Sequence, residues 1–153
     1  MTQDAMDRAR AIKLIAFDID GIMTDGTLYL SDDGQEIKGF NSLDGHGLKM
    51  LKSTGVELAI ITGRTSQVVS HRAKNLGITH LHQGAHDKLK IYRQLLEDLK
   101  LSPEQTAYMG DDVVDLPVMR RSGLAISVPA APDLVKAHSH YITRRDGGRG
   151  AVR

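Results

Sequence analysis

The sequence predicts an α/β fold in which a doubly wound parallel sheet carries helices on both faces. Strand-like apolar runs alternate with helical patterns along the whole length, which is typical of successive β-α-β units. The first run, residues 14–17, is apolar at every position, as expected for a strand buried on both faces of a parallel sheet. The length of 153 residues suits one domain, and we expect a single domain over residues 1–153.

Six strands and five helices are predicted along the chain. The strands lie at residues 13–17, 56–61, 80–82, 106–109, 124–128 and 140–142. The helices lie at about residues 47–53, 66–75, 88–99, 114–121 and 131–137. One segment interrupts the alternation, because Asp32-Asp33-Gly34 is a strong turn signal and predicts a β-hairpin flap at about residues 27–40. The Gly-rich tail at about residues 146–153 is expected to be flexible unless another segment captures it.

Composition excludes several classes of function. The chain carries 20 basic and 19 acidic residues, and this balance argues against nucleic-acid binding by bulk electrostatics. It has no cysteine, which excludes disulfides, thiolate metal sites and a cysteine nucleophile. No apolar stretch approaches the ~20 residues of a membrane span, and the first dozen residues lack the apolar centre of a signal peptide. We therefore expect a cytoplasmic protein without a membrane partner.

The first predicted strand stops at two aspartates, Asp18 and Asp20. Ligands of parallel sheets bind beyond the carboxyl ends of the strands, where these residues lie. Extended geometry would direct both side chains the same way, and two neighbouring carboxylates are tolerated mainly when a cation or a proton lies between them. An Asp-rich turn without a function is the plainer alternative for this segment alone.

Further polar groups follow other predicted strands or begin the adjacent helices. They are Thr62, Arg64, Lys88, Asp111, Asp112 and Asp115. If the strands are parallel neighbours, all of these groups converge on one edge of the sheet. Each one alone has an ordinary structural explanation, such as a turn or a solvated lysine. Their order along the chain favours a common site.

That site has the composition of a magnesium-dependent phosphoryl-transfer centre. Asp18, the backbone at Asp20 and Asp111 offer the oxygen ligands that Mg²⁺ prefers. Thr62 and Lys88 offer a hydroxyl and a compact cation, which suit a phosphoryl group. A carboxylate becomes an effective nucleophile toward a phosphate ester once charge is neutralised, and a second carboxyl two residues later is placed to act as general acid.

The order Asp-x-Asp, Thr, Lys, Gly-Asp-Asp-x-x-Asp resembles the haloacid dehalogenase-like phosphohydrolase superfamily. Longer stretches are similar to its 3-deoxy-D-manno-octulosonate 8-phosphate phosphatases; they are residues 18–26, 40–47, 76–84, 110–119 and 147–153. The resemblance runs from about residue 12 to residue 153. It implies a Rossmann-like core with the hairpin inserted after the first strand and no cap domain. It also implies a Mg²⁺-dependent phosphatase of lipopolysaccharide biosynthesis.

The resemblance also implies roles for individual residues. Asp18 would attack phosphorus and form an aspartyl-phosphate, and Asp20 would protonate the leaving sugar oxygen and then activate water. The magnesium ligands would be Asp18, the Asp20 carbonyl oxygen and Asp111. Thr62 and Lys88 would hold the phosphoryl group.

Outside this set, Asp112 and Asp115 would orient Lys88 or metal-bound waters. The implied substrate contacts are Asp20, Asn41, Ser42, Leu43, Asp44, Gly45, Lys49, Arg64, Arg72 and Lys88. Relatives form a homotetramer, in which we expect the hairpin of one subunit to cover the site of another and the tail to reach a neighbouring site.

Some features depart from the family pattern or leave alternatives open. Leu43 stands where the family usually has Arg, and Leu48-Lys49 stands where a basic residue usually follows Gly47. The alternatives are a phosphatase for a nine-carbon sialic-type sugar acid phosphate, a phospho-aspartate receiver and a non-catalytic scaffold domain. His46 lies beside the substrate loop with an open role. The histidines at positions 80, 82 and 86 lack the Cys or close carboxylate that would complete a zinc site.

Overall fold

Strands and helices alternate through most of the chain. The structure, a computed structural model, describes residues 2–153. The strands are β1 (Leu14–Phe17), β2 (Tyr29–Leu30), β3 (Glu36–Ile37), β4 (Glu57–Ile61), β5 (His80–His82), β6 (Thr106–Met109), β7 (Leu124–Ser127) and β8 (Tyr141–Ile142). The helices are α1 (Gln3–Ala9), α2 (Ser42–Ser53), α3 (Gln67–Leu76), α4 (Lys88–Leu99), α5 (Leu116–Met119) and α6 (Asp133–Ala137).

Six strands form one parallel sheet in the order β5-β4-β1-β6-β7-β8, which confirms the predicted fold class. On one side of β1 the sheet continues with β4 and then β5. On the other side of β1 it continues with β6, β7 and β8. The strand order therefore reverses at β1, and ligand sites of such sheets lie beyond the strand ends at this point. The strands β2 and β3 form the separate antiparallel hairpin.

The core is aliphatic and centred on β1, whose four residues are all buried. One hydrophobic cluster connects β1 with β4, β6, β7 and the inner faces of the helices. Because the strands are buried on both faces, their positions are fixed, and so are the positions of the residues that follow their carboxyl ends. In residues 2–153, no helix combines the length and apolar character that crossing a membrane requires.

Several elements differ from the sequence-based boundaries. Helix α2 begins five residues earlier than predicted, because the Asn41 side chain caps it by accepting hydrogen bonds from Leu43 N and Asp44 N. The predicted helix at 114–121 is divided into a 3-10 turn at Val113–Asp115 and the short α5. Helix α1 was not predicted, and each hairpin strand contains only two residues.

Candidate active site

Side chains from separate segments meet beyond the carboxyl ends of β1, β4 and β6. They line a crevice of about 380 Å³ whose wall includes Asp18, Asp20, Thr62, Arg64, Lys88, Asp111 and Asp112. Asp18 follows β1 directly, and its N–H donates to the Met109 carbonyl of β6 (3.0 Å). Its Oδ1 accepts a hydrogen bond from Ile19 N (2.7 Å). The sheet therefore holds the Asp18 carboxylate at the predicted edge.

Lys88 brings a buried positive charge to this crevice. It is the first residue of α4, and Asp87 caps that helix by accepting a hydrogen bond from Lys90 N (2.9 Å). The Lys88 Nζ atom lies 3.1 Å from Asp18 Oδ1 and 2.7 Å from Asp115 Oδ1. The cation is thus shared between two carboxylates, one of which lines the crevice.

Asp115 connects the crevice to the core. It is fully buried, and its Oδ1 accepts hydrogen bonds from Lys88 Nζ and from the Tyr108 hydroxyl, both at 2.7 Å. Its Oδ2 accepts the backbone N–H groups of Asp111 and Asp112, both at 3.1 Å. Because Asp115 accepts four hydrogen bonds, it orients the groups that donate them, including the loop that carries Asp111.

Asp111 faces Asp18 across the crevice. One oxygen from each of Asp18, Asp111 and Asp115 lies within 4.8 Å of the others. Gly21 permits this approach, because a Cβ atom at that position would lie 2.0 Å from Asp111 Oδ2. Three carboxylates and a single lysine leave this cluster with an excess of negative charge.

The pKa values at the site reflect burial and this excess charge. Burial, followed by repulsion from Asp115, raises the pKa of Asp18 to about 6 against the opposing effect of Lys88. Burial and repulsion from Asp18 raise the pKa of Asp111 to about 7. Burial alone would lower the pKa of Lys88, but the two adjacent carboxylates raise it above its usual value.

The site fits a hard divalent cation. Asp111 Oδ1 is buried and has no hydrogen-bond partner, which suits this oxygen to bind a cation. Carboxylate oxygens are the ligands that Mg²⁺ prefers, and a divalent charge would remove the repulsion between Asp18 and Asp111. Asp115 uses both of its oxygens in hydrogen bonds, which makes Asp18 and Asp111 the available carboxylate ligands.

Two residues that interact with the Asp20 side chain or with its cation partners were not predicted from the sequence. The Lys38 side chain, 2% exposed, lies 2.5 Å from Asp20 Oδ1 and 3.2 Å from Glu36 Oε1. Arg64 Nη2 donates to the same Glu36 oxygen (2.7 Å). Lys38 and Glu36 belong to the predicted hairpin. Its location shortly after Asp20 in the sequence was the one indication that they lie near the site.

The predicted substrate contacts that begin α2 lie apart from the crevice. Among residues 2–153, its wall contains none of Asn41, Ser42, Leu43, Asp44, Gly45, Lys49 and Arg72. Arg72 Nη2 instead donates to the Asn41 carbonyl (3.2 Å), and its guanidinium lies 5.5 Å from the centre of the Phe40 ring. This group stabilises the start of α2 next to the tail.

The Gly-rich tail is captured by the rest of the chain. Gly148 N donates to the Ile22 carbonyl (3.1 Å), and Asn41 Nδ2 donates to the Gly148 carbonyl (3.5 Å). Asp44 Oδ1 accepts from Arg153 N (2.8 Å), and burial raises the pKa of Asp44 despite its hydrogen bonds to the tail backbone. The Asp44 carboxylate therefore faces the tail, which packs on the loop that follows Asp20.

Comparisons with known proteins agree with this geometry. Residues 30–123 match the haloacid dehalogenase-like hydrolase family. The 3-deoxy-D-manno-octulosonate 8-phosphate phosphatase KdsC of Yersinia pestis is 47% identical over 153 residues, which cover 100% of this chain and 82% of that protein.

Solved structures are equally similar. A probable YrbI family phosphatase from Pseudomonas syringae is 55% identical with a TM-score of 0.97, over 99% of this chain and 86% of that chain. The 3-deoxy-D-manno-octulosonate 8-phosphate phosphatase of Moraxella catarrhalis, solved with a magnesium ion, a phosphate ion and a KDO molecule, is 45% identical with a TM-score of 0.97. That match covers 99% of this chain and 87% of the other. The chain therefore belongs to the haloacid dehalogenase-like hydrolases, within the 3-deoxy-D-manno-octulosonate 8-phosphate phosphatase family.

Proposed function

We propose that this chain is a Mg²⁺-dependent phosphatase that hydrolyses 3-deoxy-D-manno-octulosonate 8-phosphate to the free sugar acid and phosphate. The observation that carries the proposal is the meeting of Asp18, Lys88 and Asp111 at the switch point of the sheet. The substrate is inferred from relatives named 3-deoxy-D-manno-octulosonate 8-phosphate phosphatase, one of which was solved with KDO and phosphate.

Asp18 is the nucleophile in this proposal. One of its oxygens forms a bond to phosphorus while the bond between phosphorus and the sugar oxygen breaks, which leaves an aspartyl-phosphate. Lys88 and Thr62 bind the phosphoryl oxygens, and Asp115 keeps the Lys88 ammonium directed at Asp18. The cation would be held by Asp18, the Asp20 carbonyl oxygen and Asp111. When bound, Mg²⁺ supplies the charge neutralisation that an anionic phosphate ester requires.

Asp20, in the wall of the crevice, transfers a proton in each of the two steps. It donates a proton to the departing sugar oxygen, and it then accepts a proton from the water that attacks the aspartyl-phosphate. That water forms the new bond to phosphorus, phosphate leaves, and the Asp18 carboxylate is restored. Asp112 lines the same wall and is available to order water near Asp111.

The sugar acid needs a cation for its carboxylate group. Arg64 stands at the rim with a side chain 48% exposed, and its planar guanidinium suits a carboxylate. Asn41, Arg72 and Lys49 are not in the crevice wall, so we assign them to the part of the sugar farthest from the phosphate. Leu43 offers no charge, so we assign carboxylate recognition to Arg64.

We further propose that the protein acts as a homotetramer in the cytoplasm, in the pathway of lipopolysaccharide synthesis. The hairpin exposes four large apolar side chains, Leu28, Tyr29, Leu30 and Ile37, each at least 48% exposed. Such a concentration of apolar surface on one short hairpin favours burial against another subunit.

The test is phosphate release from a panel of phosphorylated sugars, with Mg²⁺ and with a chelator. We expect the highest kcat/KM for 3-deoxy-D-manno-octulosonate 8-phosphate, and no turnover without the cation. The Asp18→Asn variant should lose at least about 10³-fold in kcat, because it lacks the nucleophile. Preference for a nine-carbon sugar acid phosphate would overturn the substrate assignment. A stable phospho-aspartate without turnover would overturn the enzymatic one.

A further inference from the structure

Lys38 is a buried cation that contacts the side chain of Asp20. It follows β3 at the end of the hairpin, and only 2% of its side chain is exposed. Its Nζ atom lies 2.5 Å from Asp20 Oδ1 and 3.2 Å from Glu36 Oε1. Within residues 2–153, this is the one hydrogen bond that the Asp20 carboxylate accepts.

Glu36 and Arg64 extend this contact into a balanced network of two cations and two carboxylates. Arg64 Nη2 donates to Glu36 Oε1 (2.7 Å), and Arg64 Nε lies 3.7 Å from Asp20 Oδ2. Each oxygen of Asp20 therefore faces a different cation. Such an arrangement fixes the rotation of the carboxylate as well as its position.

The burial of Lys38 makes this restraint stronger than that of a surface ion pair. An exposed lysine can exchange a carboxylate partner for water at little cost, whereas a buried ammonium group needs its partners. Asp20 lies in a loop beyond the end of β1, and the next residue, Gly21, has a φ of +90°. Hydrogen bonds of the sheet hold Asp18, but the side chain of Asp20 depends on the hairpin.

We propose that Lys38 is a positioning residue, which holds the Asp20 carboxyl group in the orientation needed for proton transfer to the leaving sugar oxygen. Glu36 keeps both Lys38 and Arg64 in place. The inference rests on the proposed function, in which Asp20 is the proton donor. It gives the hairpin a role within its own subunit, separate from any role at a subunit boundary.

The leaving group distinguishes this role from a purely structural one. A sugar alkoxide is a poor leaving group and needs a proton in the transition state, whereas p-nitrophenolate departs without one. Loss of Lys38 should therefore impair hydrolysis of a sugar phosphate much more than hydrolysis of p-nitrophenyl phosphate. A general loss of folded protein would reduce both activities by the same factor.

The experiment compares Lys38→Met with wild type on both substrates, with saturating Mg²⁺ and the same protein preparation. We compare kcat/KM, because it covers the steps through formation of the aspartyl-phosphate and leaves out the later hydrolysis, in which Asp20 serves both substrates. We expect kcat/KM for the sugar phosphate to fall by about 10- to 100-fold, part of the total contribution of general acid catalysis. The kcat/KM for p-nitrophenyl phosphate should change by less than about 3-fold. Lys38→Arg should restore part of the loss, and Lys74→Met, on the exposed surface of α3, is the matched control.

Equal losses of kcat/KM on the two substrates, or no loss of kcat/KM on the sugar phosphate, would overturn the inference. If Lys38→Met does not fold, Glu36→Gln serves as the second variant, because it loosens Lys38 without removing its charge and should change the same ratio. In an Asp20→Asn background, Lys38→Met should cause no further loss on the sugar phosphate. Wild-type protein that hydrolyses other alkyl phosphates but not the sugar acid phosphate would refute the proposed substrate, and the ratio would then be measured on those alkyl phosphates.

Discussion

Removal of the metal should make the stability of this protein fall as the pH rises from about 5 to 8. A chelator leaves Asp18 and Asp111 facing each other, with the buried Lys88 ammonium group beside Asp18. Their pKa values in the folded protein, about 6 and about 7, lie above the ordinary value of 3.8. The folded state therefore holds protons that the unfolded chain has already released, and it must give them up over this pH range.

The sign follows from proton linkage. A carboxyl group with a raised pKa in the folded state imposes no penalty below pH 3.8, and the full penalty is present above its folded-state pKa. Starting at pH 5, about 1 pH unit remains for Asp18 and about 2 for Asp111, which at about 1.4 kcal/mol per unit gives an upper limit of about 4 kcal/mol. Repulsion from Asp18 contributes to the raised pKa of Asp111, so the two values are not independent, and solvent screens the half-buried Asp111. We therefore expect about 2–3 kcal/mol.

The assay is urea unfolding, followed by circular dichroism, at about pH 5 and pH 8. With a chelator, the free energy of unfolding should fall by the stated amount between the two pH values. Saturating Mg²⁺ should remove most of the fall, because the cation favours the charged carboxylates. Asp111→Asn is the control: in the chelator, its free energy of unfolding should depend less on pH than that of the wild type. If the stability of the metal-free protein is constant or rises over this pH range, the pKa values of Asp18 and Asp111 are not raised in the folded state.

Three further predictions concern packing, hydrogen bonding and assembly. Gly147→Ala should destabilise the fold by more than about 2 kcal/mol in urea unfolding, because its Cβ atom would lie 1.9 Å from a backbone oxygen of the loop after β1. Gly39→Ala, with no atom within 4 Å of the added carbon, should change stability by less than about 1 kcal/mol, and equal effects would contradict this account. Tyr108→Phe removes the hydroxyl that donates to Asp115 (2.7 Å) and should cost about 1–2 kcal/mol of unfolding free energy, whereas an unchanged midpoint would show that this hydrogen bond adds nothing. Leu30→Glu places a charge on a hairpin residue that is 62% exposed, and it should dissociate the proposed oligomer in sedimentation; an unchanged sedimentation coefficient would place the interface elsewhere.

The fold and the central site could be predicted because their signals are local in the sequence. The apolar run of β1 identifies a buried parallel strand, and Asp18 and Asp20 follow it directly. Thr62 follows β4 directly, and Asp111 follows β6 after one residue, Gly110. Parallel strands place all such positions at one edge, so the topology alone brings these groups together.

Other features lacked a local signal. The predicted helix began at about residue 47, but α2 begins at Ser42 because Asn41 caps it and Gly45 allows the close approach of Arg72. The capture of the tail depends on the buried carboxylate of Asp44. Neither contact follows from residue spacing.

The sequence alone was enough to predict which segments form strands, the edge at which the acidic groups collect and the chemistry that they permit. Only the tertiary structure decided that Lys38 pairs with Asp20 and that Asp115 accepts four hydrogen bonds beneath the crevice. Strand positions and strand ends follow from short-range hydrophobic patterns, which can be read directly from the sequence. The partner of a charged side chain depends instead on which distant groups lose water together when the chain folds.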